Sequence, residues 1–176
     1  MTGRSETTGV QGEELVITRD FDAPRDLVFK AFTESDGMAQ WWGPKGWTMQ
    51  VSRFEFRPGG IFLFRLEGSD GADMWARFVY REITPPERIV FVNSFSNEAG
   101  GLTRAPFAGT WPLQMLTTLT LAERGGKTTL TLRVGALEAT AEEVATFEGG
   151  FDSMRQGFGG TLEQLADFLA SQRATI

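Results

Sequence analysis

Across residues 14–22 the apolar side chains Leu15, Ile17 and Phe21 alternate with polar ones, and that period of two predicts a half-buried first strand. After the turn fixed by Ala23-Pro24 the period changes. Leu27, Val28, Ala31 and Phe32 recur at helical spacing, with Asp22 placed to cap and Pro24 tolerated in the first turn. A second short helix is expected over residues 36–41, ending at Gly43-Pro44. Four strand-like runs follow, over residues 47–56, 61–66, 74–83 and 88–95. Pro58-Gly59-Gly60, residues 68–71 and Pro85-Pro86 separate them, as turns separate the strands of an antiparallel meander.

Further on, Met115, Thr117, Leu119 and Leu121 share one face, Gly125-Gly126 turns the chain, and Leu130, Leu132 and Val134 return with the same alternation. Thr140-Ala141-Glu142-Glu143 is a capping box and starts a helix expected to reach about Ser171. Phe151, Met154, Phe158, Leu162, Leu165 and Leu169 give it one apolar stripe. Beside that stripe runs a row of small residues, Gly150, Ser153, Gly157 and Thr161. Residues 96–112 form a long Gly- and Pro-bearing loop, of the length that is usually functional or mobile; the expectation is a lid whose Phe107 and Trp111 touch a ligand. No repeat or linker interrupts the pattern. It predicts one domain over residues 13–172, preceded by a disordered polar tail over residues 1–12.

Composition narrows the chemistry. The 176 residues include neither cysteine nor histidine, which removes disulfides, thiolate nucleophiles, imidazole bases and the common zinc ligands. No oxygen-ligand motif of the EF-hand kind occurs, so neither metal nor cofactor is expected. A net charge of -6 opposes binding to a phosphate backbone. No apolar run has the length of a signal peptide core or a membrane span, and the expected location is the cytoplasm.

Several motifs carry a resemblance. Ala23-Pro24 followed by Val28-Phe29, then Trp41-Trp42-Gly43-Pro44, Arg57-Pro58-Gly59-Gly60, Pro85-Pro86-Glu87-Arg88 and Gly157-Phe158 before Leu162 and Leu165 occur in the order and spacing of a known family. It is the one named for the activator of the ninety-kilodalton heat-shock chaperone's ATPase, within the START-like (SRPBCC, Bet v 1-like) helix-grip superfamily. The resemblance covers residues 14–169. It implies an α+β fold in which a curved antiparallel sheet wraps a long C-terminal helix, with two short helices after the first strand and a cavity between sheet and helix. Phe158 stands where many relatives have Trp, and Phe78 where many have Gly, so a relative's ligand does not transfer.

The expected function is therefore a binding or carrier domain for a small hydrophobic or amphipathic molecule. The candidate lining is Phe62, Phe64, Trp75, Phe78, Tyr80, Phe91, Trp111, Met115, Thr117, Met154, Gly157, Phe158 and Thr161; which strand parity faces inward stays open. Each helix-interior glycine costs about 1 kcal/mol relative to alanine, so the glycines at 149, 150, 157, 159 and 160 ask for a tertiary reason. Room for a ligand is one, and close helix-to-strand approach or a kink at Gly149-Gly150 is another. Arg65 and Arg77 read most simply as solvated strand residues, and Glu55 with Arg57 as a structural ion pair or turn anchor. The alternative reading is a cyclase- or hydrolase-like enzyme of the superfamily, for which Tyr80 and Glu148 are the positions to test. A chaperone-regulating module is suggested by the family name alone. The chaperone activator carries a further domain before its helix-grip domain where this chain has a short polar segment, and direct chaperone binding is not expected. A monomer, or a homodimer paired through a strand edge, fits the pattern.

Overall fold

Neighbouring strands pair antiparallel along most of the chain. A computed structural model of the protein describes residues 9–174. It runs β1 (Val10–Phe21), α1 (Arg25–Lys30), α2 (Ser35–Trp41), β2 (Thr48–Phe54), β3 (Ile61–Glu67), β4 (Asp73–Thr84), β5 (Arg88–Ser96), β6 (Gln114–Arg124), β7 (Lys127–Leu137), α3 (Ala141–Gly149) and α4 (Phe151–Ala174). The strands form one curved sheet in the order β1-β7-β6-β5-β4-β3-β2. Consecutive strands from β2 onward are neighbours, joined by short connections except for the long loop between β5 and β6, and β1 closes against β7. The helix-grip architecture expected from the sequence, with its two short helices after the first strand, is the one observed.

Register fixes which parity points inward, because directly paired residues of antiparallel strands share a face. Phe62 pairs with Phe78, Phe78 with Asn93, Asn93 with Met115 and Met115 with Ala136. This row faces the helices: Phe62 and Phe78 join Val28, Phe32, Trp41, Leu162 and Leu165 in the main core, while Met115 and Ala136 join Leu15, Trp111 and Phe147 in a second cluster. Trp41 is buried between the short helices, its indole N–H donating to Ala31 O at 3.1 Å. On the opposite face, Val10, Val90, Val92, Leu116 and Leu137 form a smaller apolar cluster of their own.

Two boundaries differ from the sequence expectation. β1 begins at Val10, so residues 10–12 of the expected tail lie in a strand, with Val10 and Gln11 paired to β7; residues 1–8 of that expected tail lie outside the described residues. A bulge between Gln11 and Leu15 hides the alternation there. Gly12 supplies the positive φ of +75°, and a Cβ at that position would lie 2.5 Å from Val144. Glu148 holds the bulge from α3, accepting a hydrogen bond from Glu13 N at 2.9 Å. The second difference is that the C-terminal helix is two helices, divided at Gly150 (φ −97°, ψ 6°). A Cβ on Gly150 would lie 3.0 Å from the Trp111 ring, so the division falls where that indole packs onto backbone. The capping box is present as expected: Thr140 Oγ1 accepts from Glu143 N at 3.1 Å and Glu143 Oε1 from Thr140 N at 3.0 Å.

The Arg57-Pro58-Gly59-Gly60 motif is structural. Gly59 N donates to Tyr80 O at 2.7 Å and Tyr80 N to Gly60 O at 3.0 Å, fastening the turn onto β4. A Cβ on Gly60 would sit 2.1 Å from Glu55 O, which leaves room for glycine alone. Glu55 anchors the same turn, accepting from Arg53 Nε at 2.9 Å and from Ile61 N at 3.2 Å. Those bonds, the Arg53 one foremost, hold its carboxyl below the usual carboxylate range.

Candidate functional site

A cleft of about 260 Å³ opens between the inner face of the sheet and α4. One wall is the sheet: Phe64 and Leu66 from β3, Met74, Ala76 and Phe78 from β4, Asn93 and Phe95 from β5, and Met115 from β6. The other wall is α4, through Met154, Gly157, Phe158 and Thr161. Trp42, Gly43 and Pro44, between α2 and β2, make the rim. Three hydrogen bonds fasten that rim to α4. Thr161 Oγ1 donates to Gly43 O at 3.0 Å, and Gln164 Nε2 donates to Trp41 O at 3.0 Å and to Gly43 O at 2.8 Å.

The rings at the base of the cleft are locked to one another. Phe78 stacks on Phe91 at 4.0 Å and 15°, while Trp42 meets Phe78 edge-on at 5.4 Å and Phe158 at 6.3 Å. No Asp, Glu, Lys or Arg lines the cleft. Ser94 borders it as well, although its register partner is Arg77 on the outer face.

Of the residues expected at a ligand site, Phe64, Phe78, Met115, Met154, Gly157, Phe158 and Thr161 come together here. Phe62, Tyr80, Phe91 and Thr117 point to the same side of the sheet but stand outside the lining, buried behind it or farther along the strands. Trp75 does not reach the cleft. It follows Met74 and precedes Ala76, both inward, so the period of two sends it to the outer face, paired with Arg65 and Ser96. Trp111 does not reach it either. It lies with Phe107, Ala108 and Gly150 in a separate depression that shares only Met154 with the cleft. Phe107, 64% exposed, touches Phe95 and Trp111 edge-on, so the 96–112 loop meets the cleft through Phe95 and not through the two rings expected as a lid.

The polar candidates separate cleanly. Arg65 lies on the outer face, its Nε on Asp73 Oδ2 at 2.9 Å, as a solvated strand residue would. Arg77, also outward, donates through Nη1 to Gly100 O at 2.7 Å and ties down the loop after β5. Tyr80 is buried among aromatic rings, and burial pushes its phenol above the usual tyrosine range. Among the described residues no group of three or more Asp, Glu, His or Cys is placed to hold a metal, and no helix is long and apolar enough to cross a membrane.

Trp42, Gly43, Pro44, Leu66, Met74 and Ala76 belong to the lining but were absent from the expectation. Leu66, Met74 and Ala76 follow from strand parity once Phe64 and Phe78 are known to face inward. The rim was visible as a Trp-Trp-Gly-Pro motif, but the bonds that place it over α4 join residues 118 to 123 apart in sequence, beyond any local signal.

The model of the family described as "Activator of Hsp90 ATPase homolog 1-like protein" matches residues 22–170. Solved structures of similar fold include protein Ms6760 from Mycobacterium smegmatis, 21% identical with a TM-score of 0.73 over 89% of this chain and 90% of that one. A solution structure of a protein from Arthrobacter aurescens is 23% identical with a TM-score of 0.75, over 92% and 91% of the two chains. Another, from Staphylococcus epidermidis, is 23% identical with a TM-score of 0.72, over 93% and 94%. At these identities the likeness establishes fold. No curated protein matches the chain significantly.

Proposed function

Because the chain belongs to the Activator of Hsp90 ATPase homolog 1-like family, whose START-like fold suits ligand binding, we propose that it is a binding or carrier domain for a small hydrophobic or amphipathic molecule held between α4 and the sheet. The observation that carries this reading is Gly157. It lies between Met154 and Thr161 on the cleft-lining stripe, and a Cβ built there meets nothing within 4 Å. A glycine inside a helix sacrifices stability of about 1 kcal/mol relative to alanine; here the sacrifice keeps an apolar, uncharged cleft unobstructed. Its volume falls just under the roughly 300–1,000 Å³ of drug-sized ligand pockets, which points to a small ligand.

The enzyme reading draws less support. Tyr80 sits in the core with its phenol held neutral by burial, and Glu148 accepts from the β1 bulge; neither lines the cleft. General acid–base catalysis needs its group within hydrogen-bond reach of substrate.

Substituting Gly157→Leu separates a ligand cleft from an idle surface groove. In wild type, a varied panel of small apolar compounds should contain members that raise the melting temperature, and native mass spectrometry should show one molecule bound. In Gly157→Leu the fold should persist and the ligand-dependent rise should vanish. A rise undiminished in the variant, or no rise with any compound in wild type, would overturn the proposal.

A further inference from the structure

Asn93 is the polar group that the cleft chemistry singles out. It faces the cleft from β5, between its register partners Phe78 and Met115, which also line it. Its Oδ1 accepts a hydrogen bond from Thr117 Oγ1 at 2.7 Å. Thr117 is 1% exposed, and its hydroxyl donates to no other acceptor among the described residues. A buried hydroxyl donor left without an acceptor is costly, whereas the amide can satisfy it with one orientation only. Thr117 therefore holds the amide with Oδ1 turned to itself, which leaves Nδ2 as the free end. Among the described residues Nδ2 has no acceptor, and it is not sealed in the core. Of the two lining hydroxyls, that of Thr161 is committed to Gly43 O, and that of Ser94, buried without a partner among the described residues, belongs to the residue paired with outward-facing Arg77.

A hydrocarbon ligand would cover this N–H₂ group without giving it an acceptor. An anionic one would enter a cleft with no counter-charge, where desolvation is uncompensated. Resting on the reading of the cleft as a ligand site, we propose that it selects an uncharged apolar molecule bearing a carbonyl oxygen, which accepts a hydrogen bond from Asn93 Nδ2. A site with a fixed donor discriminates against analogues that lack the acceptor, because the donor is then buried unpaired.

Calorimetric titration with three shape-matched probes tests this: 2-acetylnaphthalene, 2-isopropenylnaphthalene and 2-naphthoate. The ketone should bind about three- to tenfold tighter than the hydrocarbon, the worth of one net hydrogen bond, and the carboxylate weakest. Asn93→Leu should erase the ketone's lead over the hydrocarbon. Thr117→Val, nearly isosteric, should narrow the lead by freeing the amide to turn; it carries the test if Asn93→Leu fails to fold. Equal binding of ketone and hydrocarbon by wild type, a lead that survives both Asn93→Leu and Thr117→Val, or tightest binding of the carboxylate would overturn the selection while leaving a ligand cleft standing. Failure of all three probes to bind would remove the cleft reading and the selection together.

Discussion

Glycines that look alike along the C-terminal segment have different reasons to be there. At Gly150 a Cβ would press on the Trp111 ring, whereas at Gly157, which lines the cleft, and at Gly159, which does not, it would meet nothing within 4 Å. Gly159→Ala should therefore stabilise the protein by up to about 1 kcal/mol, the propensity difference in a helix interior. Gly150→Ala should destabilise it by crowding the indole. Paired urea titrations would check both signs, and a gain at position 150 would show that the indole yields freely. The cost of these glycines was legible in the sequence. Their separate reasons were not, since each depends on what the fold places opposite.

At the scale of the element, α3 owes its start to side chains that the sequence displays openly. Removing the Thr140 hydroxyl by Thr140→Ala should cost about 1 kcal/mol, the usual worth of a threonine cap, read as a lower denaturation midpoint. Glu143 adds a pH dependence. The Thr140 backbone N–H, with help from the Arg104 guanidinium, holds its carboxyl below the usual carboxylate range. A depressed acid contributes stability that is present above its unfolded-state value and is lost as pH falls through its folded-state value. Wild type should thus lose stability below about pH 4, where model carboxylates titrate, more steeply than Glu143→Gln in denaturant titrations taken from pH 7 to pH 3. Equal slopes would show that the cap is indifferent to charge. The Thr-x-x-Glu signature made this helix start legible, and Gly149-Gly150 offered a kink as one reading; what the sequence could not display is Trp111, which arrives from a distant loop to pack on Gly150.

For the whole molecule, alternation and turn residues were enough to trace the meander from β2 to β7, but not the choice of inward parity or the seat of β1. Parity is decided by pairing across strands, which is why Trp75 was expected in the cleft and lies outside it. Family resemblance, and not local pattern, supplied the wrapping of the sheet round the helix. If the cleft takes a ligand, the entire cooperative unit should register it: at a free concentration of 100 times Kd the expected gain is about 2.7 kcal/mol. Gly157→Leu should show none of it.

The seat of β1 has a consequence for how the chain reaches this state. Thr128 Oγ1 donates to Ala23 O across 105 residues, and β7 is the one strand with which β1 pairs. A chain that leaves the ribosome from its N-terminus exposes Leu15, Ile17 and Phe21 before their partners in β7 have been synthesised. Topologies dominated by such distant pairings fold slowly, and the unpaired strand edge is a natural target for holding chaperones until the sheet can close.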